Sequence, residues 1–308
     1  MYAAPPRKTM DVFASVPEKH QVRDRPSQWV DVQLHGAPTP AFLEGPAFDP
    51  QGRLWVVDIP WGRLFRVDEN GGMECMVEYD GEPNGLAFHP DGRVFITDAK
   101  NGVMVFDPAK GVVEPYLQRP LVQSFKGVND LIFSSTGDMY FTDQGQTGHH
   151  DATGRVYRLC ADGRLDCLLS NVPSPNGLVL NKEENILYVA VTRANAIWRV
   201  PLMSQHGLVS KVGTFIQMSG GGGPDGIALD SNGGLAVSHV GMGVVWIFDD
   251  LGQPTLRLDA PNGRLTTNCA YGGADMKRLY VTAGASILVA DVEVAGQPTV
   301  AQLGAFTK

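Results

Sequence analysis

Residues 47–58 read AFDPQGRLWVVD, and residues 87–98 read AFHPDGRVFITD. Each is a short apolar run, a turn built from Pro, Asp, Gln and Gly, and a second apolar run, which is how two consecutive antiparallel strands look in sequence. The unit recurs as IFSSTGDMYFTD at 132–143, VLNKEENILYVA at 179–190, ALDSNGGLAVSH at 228–239 and AYGGADMKRLYVT at 270–282. The first apolar residues after the turns are Leu54, Val94, Met139, Leu187, Leu235 and Leu279, separated by 40, 45, 48, 48 and 44 positions.

Downstream of each pair, a third strand follows in every copy: RLFRVDE, VMVFDP, RVYRLC, AIWRVPL, VVWIFDD and SILVADV. A fourth is visible in MECMVEY, VVEPYLQ and RLDCLLS. Four antiparallel strands at this period are a propeller blade. The expected fold is therefore all-β, a six-bladed β-propeller with blades at roughly 40–295 of a single domain, 1–308. Immunoglobulin-type modules would need about 100 residues each, and helical spacing of apolar residues does not recur. The sixth repeat lacks an outer strand, which WVDVQL (29–34) or TVAQLG (299–304) is expected to supply; the N-terminal segment 1–39 is the favoured source.

Composition agrees. Apolar residues make up 43% and charged residues 19%, enough to bury a core, while 36 Gly and 21 Pro imply many turns. A net charge of −8 without a dense Lys/Arg cluster argues against nucleic acid as partner. No apolar stretch approaches the roughly 20 residues that cross a bilayer, and the N-terminus lacks a signal peptide, so no membrane association and a cytoplasmic location are expected. Cys75, Cys160, Cys167 and Cys269 fit no metal spacing. Cys160 and Cys167 flank an Asp-Gly turn, where a reducing compartment favours thiols over a disulfide.

Ten or eleven positions before each anchor, where each innermost strand begins, stand Glu44, Asn84, Asn129, Asn176, Asp225 and Asn268. Taken singly, the Asn-Gly and Asp-Gly pairs among them read as turns. Phase separates the cases: Pro90-Asp91-Gly92 lies between two strands, whereas Pro224-Asp225-Gly226 precedes one. Innermost strands surround the channel, so six side-chain oxygens are expected to converge on its axis, where a hard divalent cation would balance Glu44 and Asp225.

LEGPAF at 43–48, VNDL at 128–131, SPNGLVL at 174–180, GPDGIALD at 223–230 and TTNCAYGG at 266–273 together closely resemble the senescence marker protein/gluconolactonase/luciferin-regenerating-enzyme-like family, which includes drug-responsive lactonases. The resemblance covers nearly the whole chain. It implies a propeller with one divalent cation in the central channel, calcium first, with zinc, manganese, magnesium and iron as alternatives. Its ligands would be Glu44, Asn129, Asn176 and Asp225, and Asp225 would double as general base. Asn84 and Asn268 match less closely. Sugar-lactone members often carry an arginine shortly before the Asn129 position; this chain reads SFKGVND and offers Lys126.

The loops between second and third strands open on the same rim and carry Trp61, Lys100, Asn101, His149, His150, Arg193, His239 and Met242. The blade-three loop is the longest and is read as a lid. Four glycines at 220–223 lead to Pro224 without a following Lys-Ser/Thr, so they read as a flexible approach rather than a phosphate cradle. No G-x-S-x-G, H-E-x-x-H or Walker loop is present. Glu44 and Asp225 are the expected catalytic residues; Asn129, Asn84, Asn268, Trp61, His149 and His239 are the expected substrate contacts. The expected activity is metal-dependent hydrolysis of a small-molecule lactone or similar ester. The alternatives are a phosphotriesterase or fluorophosphatase using the same centre, and a non-catalytic scaffold whose cation serves stability.

Overall fold

The computed structural model describes residues 4–203, 208–261, 263 and 265–306, and the six repeats are six antiparallel sheets set around one axis. Blade one comprises Leu43–Phe48, Leu54–Asp58, Arg63–Val67 and Met73–Glu78, and blades two to four repeat the pattern from Pro83, Val128 and Pro175. Blade five starts at Gly223 and blade six at Thr266. Each innermost strand packs against the innermost strands of both neighbours, blade six against blade one included, so the chain is a closed six-bladed β-propeller.

The two apolar faces of each blade meet those of its neighbours. Between blades one and two, for example, Trp55, Val57 and Leu64 pack on Leu86, Phe88 and Ile96, with the Trp55 and Phe88 rings edge to face at 5.5 Å. Both faces of a blade are thus apolar, which is why the second strands read as unbroken hydrophobic runs. The turn at 89–92 is a true turn: the Gly92 N–H donates to the His89 carbonyl at 2.9 Å, with Gly92 at φ 93°.

Neither segment expected to seal the ring does so. The sixth blade's outer strand is Asp11–Ser15, antiparallel to Ser286–Asp291, and Arg7–Thr9 adds a parallel strand to the outer edge of blade five. The N-terminus closes the circle, but through residues 11–15 instead of 29–34. Gln28–Gln33 is a short helix capped by Ser27, and Val300–Leu303 is another, opened by a capping box between Thr299 and Gln302. Among the described residues no helix is long and apolar enough to cross a membrane, and all four cysteines are free.

Candidate metal centre and channel mouth

The ring residues do not sit in turns. Asn84-Gly85, Asn176-Gly177 and Asp225-Gly226 all lie inside innermost strands. In every blade the pairing register between first and second strands slips at the ring position, between Glu44 and Ala47, Pro83 and Gly85, Val128 and Leu131, Pro175 and Leu178, Pro224 and Ile227, and Thr266 and Cys269. A bulge re-aims the side chain at which it occurs, and here it recurs sixfold at one height on the channel wall.

The glycines serve close approach. A Cβ on Gly177 would lie 2.6 Å from the Asp225 carbonyl, and one on Gly226 would lie 1.9 Å from Asn268 Oδ1. Neighbouring innermost strands touch backbone to backbone because no side chain separates them.

Hydroxyl groups stitch the ring from blade to blade. The Gly85 N–H donates to Thr97 Oγ1, and Thr97 donates to the Asn129 carbonyl of the next blade. Thr142 accepts from the Asp130 N–H and donates to the Asn176 carbonyl at 2.9 Å; Thr192 donates to the Pro224 carbonyl at 2.8 Å. Three aspartates ending second strands hold the approach to the ring: Asp58 accepts from the Phe42 N–H, Asp98 from Glu82, and Asp143 from Lys126 and Gly127. These repeated bonds fix where each ring residue leaves the backbone.

Five of the six ring side chains, Glu44, Asn129, Asn176, Asp225 and Asn268, are buried; Asn84 is half-buried. Burial raises the Glu44 carboxyl above its ordinary value, and Asp130 adds to the shift by charge. Asp225 is raised well above the carboxylate range, first by burial and then by the charges of Glu44 and Asp130. Asp130, which the repeat pattern does not single out, is itself pushed up to about 6 by burial. The polar side chains of Asn268 at Glu44 and Asp130, of Thr267 at Glu44 and of Asn176 at Asp225 oppose these shifts by favouring the ionised forms. Three carboxylates thus share one largely buried site, and Arg193 acts on Asp225 with the opposite charge.

Buried carboxylates without a counter-charge are costly, so a cation is the natural complement. The donor set fits one. Asn129 Nδ2 donates to Gln144 Oε1 at 2.9 Å, and Gln144 in turn donates to Ser174 Oγ at 3.0 Å, which turns the carboxamide so that its buried Oδ1 is left with no partner. An orphaned buried oxygen in a ring that also carries carboxylates is what a hard cation binds. Among the described residues no three His, Cys, Asp or Glu side chains gather at metal-binding spacing, so carboxamide oxygens must share such a site.

On the rim, a groove of about 900 Å³ runs over blades one to three, walled by the helix Gln28–Gln33, Trp61, Tyr79, Glu82, Lys100 and Gln146. Trp61 is buried there beneath Arg25, whose guanidinium lies 5.0 Å from the ring centre. His149 and His150 are exposed on the turn Gly148–Asp151. The blade-three loop is pinned at its base, since Thr147 Oγ1 donates to the Gln144 carbonyl and accepts from the Ser174 N–H. His239, expected as a substrate contact, is buried: Nε2 lies 2.9 Å from the Gly220 carbonyl, and Trp246 Nε1 donates to Nδ1 at 3.3 Å. With both nitrogens engaged, it anchors the glycine run before Asp225. Lys126 pairs with Asp151 at 3.9 Å.

Fold and ring together define a six-bladed propeller with an acidic, oxygen-lined channel. The chain belongs to the SMP-30/Gluconolactonase/LRE-like family, whose sequence profile matches residues 42–285. It is 28% identical over 241 residues to the lactonase drp35 of Staphylococcus aureus strain MW2, covering 73% of this chain and 71% of that one. Among solved structures, a calcium-binding protein, regucalcin, from Agrobacterium tumefaciens superposes with a TM-score of 0.73 at 25% identity, over 94% of this chain and 98% of the other. A gluconolactonase from Xanthomonas campestris gives 0.73 at 23% identity, over 92% and 98%.

Proposed function

We propose that this protein is a hydrolase that opens a lactone, with one divalent cation held by Glu44, Asn129, Asn176 and Asp225. The reading rests above all on the combination of buried Glu44 and Asp225 with the orphaned Asn129 Oδ1. The lactonase drp35 and regucalcin relationships support the activity and calcium respectively. Bound there, the cation supplies a Lewis acid for the ester carbonyl and lowers the pKa of water.

The chain's own residues supply the rest. Glu44, fixed by the Gly45 N–H at 2.9 Å, brings negative charge that offsets the cation and sets its position. Asp225, whose proton affinity is raised by burial and by Glu44, takes a proton from the attacking water and returns it to the alkoxide as the ring C–O bond breaks. Asn84, the half-buried ring member, faces substrate.

The test is a lactone panel followed by pH drop, with calcium and after chelation. Turnover that disappears on chelation while circular dichroism is unchanged supports the reading. Absence of turnover on every lactone with full metal overturns it and favours a scaffold.

A further inference from the structure

Arg193 stands in the one-turn 3-10 segment Thr192–Ala194, directly after the second strand of blade four. The turn is clamped on both sides by the ring. The Thr192 N–H donates to the Ser174 carbonyl at 3.0 Å, two residues before Asn176, and Thr192 Oγ1 donates to the Pro224 carbonyl, one residue before Asp225. Gly223 is pressed on the Thr192 backbone so closely that a Cβ would lie 2.0 Å from its carbonyl oxygen. The Arg193 stem runs towards blade three, with Cγ 3.5 Å from where a Cβ on Gly148 would stand. Its base is therefore held in place while the side chain is exposed.

Other basic side chains around this rim are occupied. Arg63 pairs with Asp58, Lys100 with Asp80, Lys126 with Asp151 at 3.9 Å and Arg155 with Asp143 at 3.7 Å. Arg193 has no ion pair and no hydrogen bond among the described residues, although it is close enough to Asp225 to act on its charge. A fork of five donors left open beside an acidic ring is suited to a planar anion that the ring itself would repel.

We infer that Arg193 is a specificity-determining residue that docks a carboxylate of the substrate, so that the preferred lactones carry a second, ionised carboxyl group away from the scissile ester. The inference rests on the lactonase reading for its reaction and on the geometry of the turn for its site. An anionic arm on Arg193 would keep the lactone carbonyl over the ring while holding the arm's charge away from Glu44 and Asp130.

A binding measurement tests this without depending on turnover. D-Glucarate and D-gluconate differ by one terminal carboxylate, and each is titrated calorimetrically into calcium-loaded protein. Wild type is expected to bind glucarate at least tenfold more tightly, Arg193→Ala to lose that preference, and Arg193→Lys to keep part of it, with gluconate affinity within about twofold throughout. Equal binding of the two acids by wild type, or a preference that survives Arg193→Ala, overturns the inference. Lack of lactone hydrolysis by wild type overturns the lactonase reading alone. Unchanged thermal unfolding of Arg193→Ala, whose side chain is exposed, separates lost docking from lost fold.

Discussion

Glu44 and Asp225, from blades one and five, are buried in the same ring, and the charge of Glu44 raises the Asp225 carboxyl further above the carboxylate range. A folded protein that holds two acids in this way binds either protons or a cation there.

The pH dependence of stability follows from that competition. A carboxyl whose folded value lies above its unfolded value of about 4 takes up a proton on folding, so its favourable contribution is complete below that value and is lost as pH rises through the folded one. Asp130, at about 6, and Glu44 and Asp225, raised in the same direction, make chelated protein less stable at pH 8 than at pH 5.5. Calcium should raise Tm more at pH 8 than at pH 5.5, and its addition to unbuffered protein at pH 7 should release protons. Scanning calorimetry at both pH values checks this, and a calcium effect larger at pH 5.5 would contradict it.

Removing one ring charge should separate function from stability. Glu44→Gln and Asp225→Asn are expected to lower kcat at least a hundredfold and to abolish the calcium-induced rise in Tm. In chelator both variants should be as stable as wild type, or more stable by about 1–3 kcal/mol, because a buried uncompensated charge is gone. Urea unfolding with and without calcium measures both arms.

Among the described residues the Gln144 side chain hydrogen-bonds the ring through Asn129 and is held by Ser174. Gln144→Leu frees the Asn129 carboxamide to rotate and should weaken calcium about 10-fold to 100-fold, as loss of an orienting partner does elsewhere. Tm in chelator should fall by only a few degrees. Calcium titration by calorimetry reads the affinity directly.

Two glycines distinguish a turn from a contact. A Cβ added at Gly92 would meet nothing within 4 Å, but the residue sits at φ 93°, so Gly92→Ala should cost about 1 kcal/mol of backbone strain. A Cβ added at Gly177 would stand 2.6 Å from the Asp225 carbonyl, and Gly177→Ala should cost about 1–3 kcal/mol or more by forcing two innermost strands apart. Chemical denaturation of the pair gives the ranking.

Much of this architecture is local and was therefore readable. Strand alternation and Pro-Asp-Gly turns act within a dozen residues, so the period of the repeat and the common phase of Glu44, Asn129, Asn176 and Asp225 are visible without coordinates. Some misses had signals in the chain. Ser27 before 28–33 and the Thr299/Gln302 capping box mark helices where strands were expected. Glycine follows Glu44, Asn84, Asn176 and Asp225, and Cys269 follows Asn268; Asp130, after Asn129, is the one carboxylate at that place in the repeat.

The order of residues thus specifies six blades and which side chains share a height, because each depends on neighbours along one strand. Only long-range packing selected Asp11–Ser15 to seal the wheel, Gln144 to turn Asn129, and His239 to hold the Gly220 loop. Those outcomes are set by pairing partners far apart in the chain. An unpaired strand edge, a carboxamide or an imidazole accepts many partners, and closure of the ring picks one.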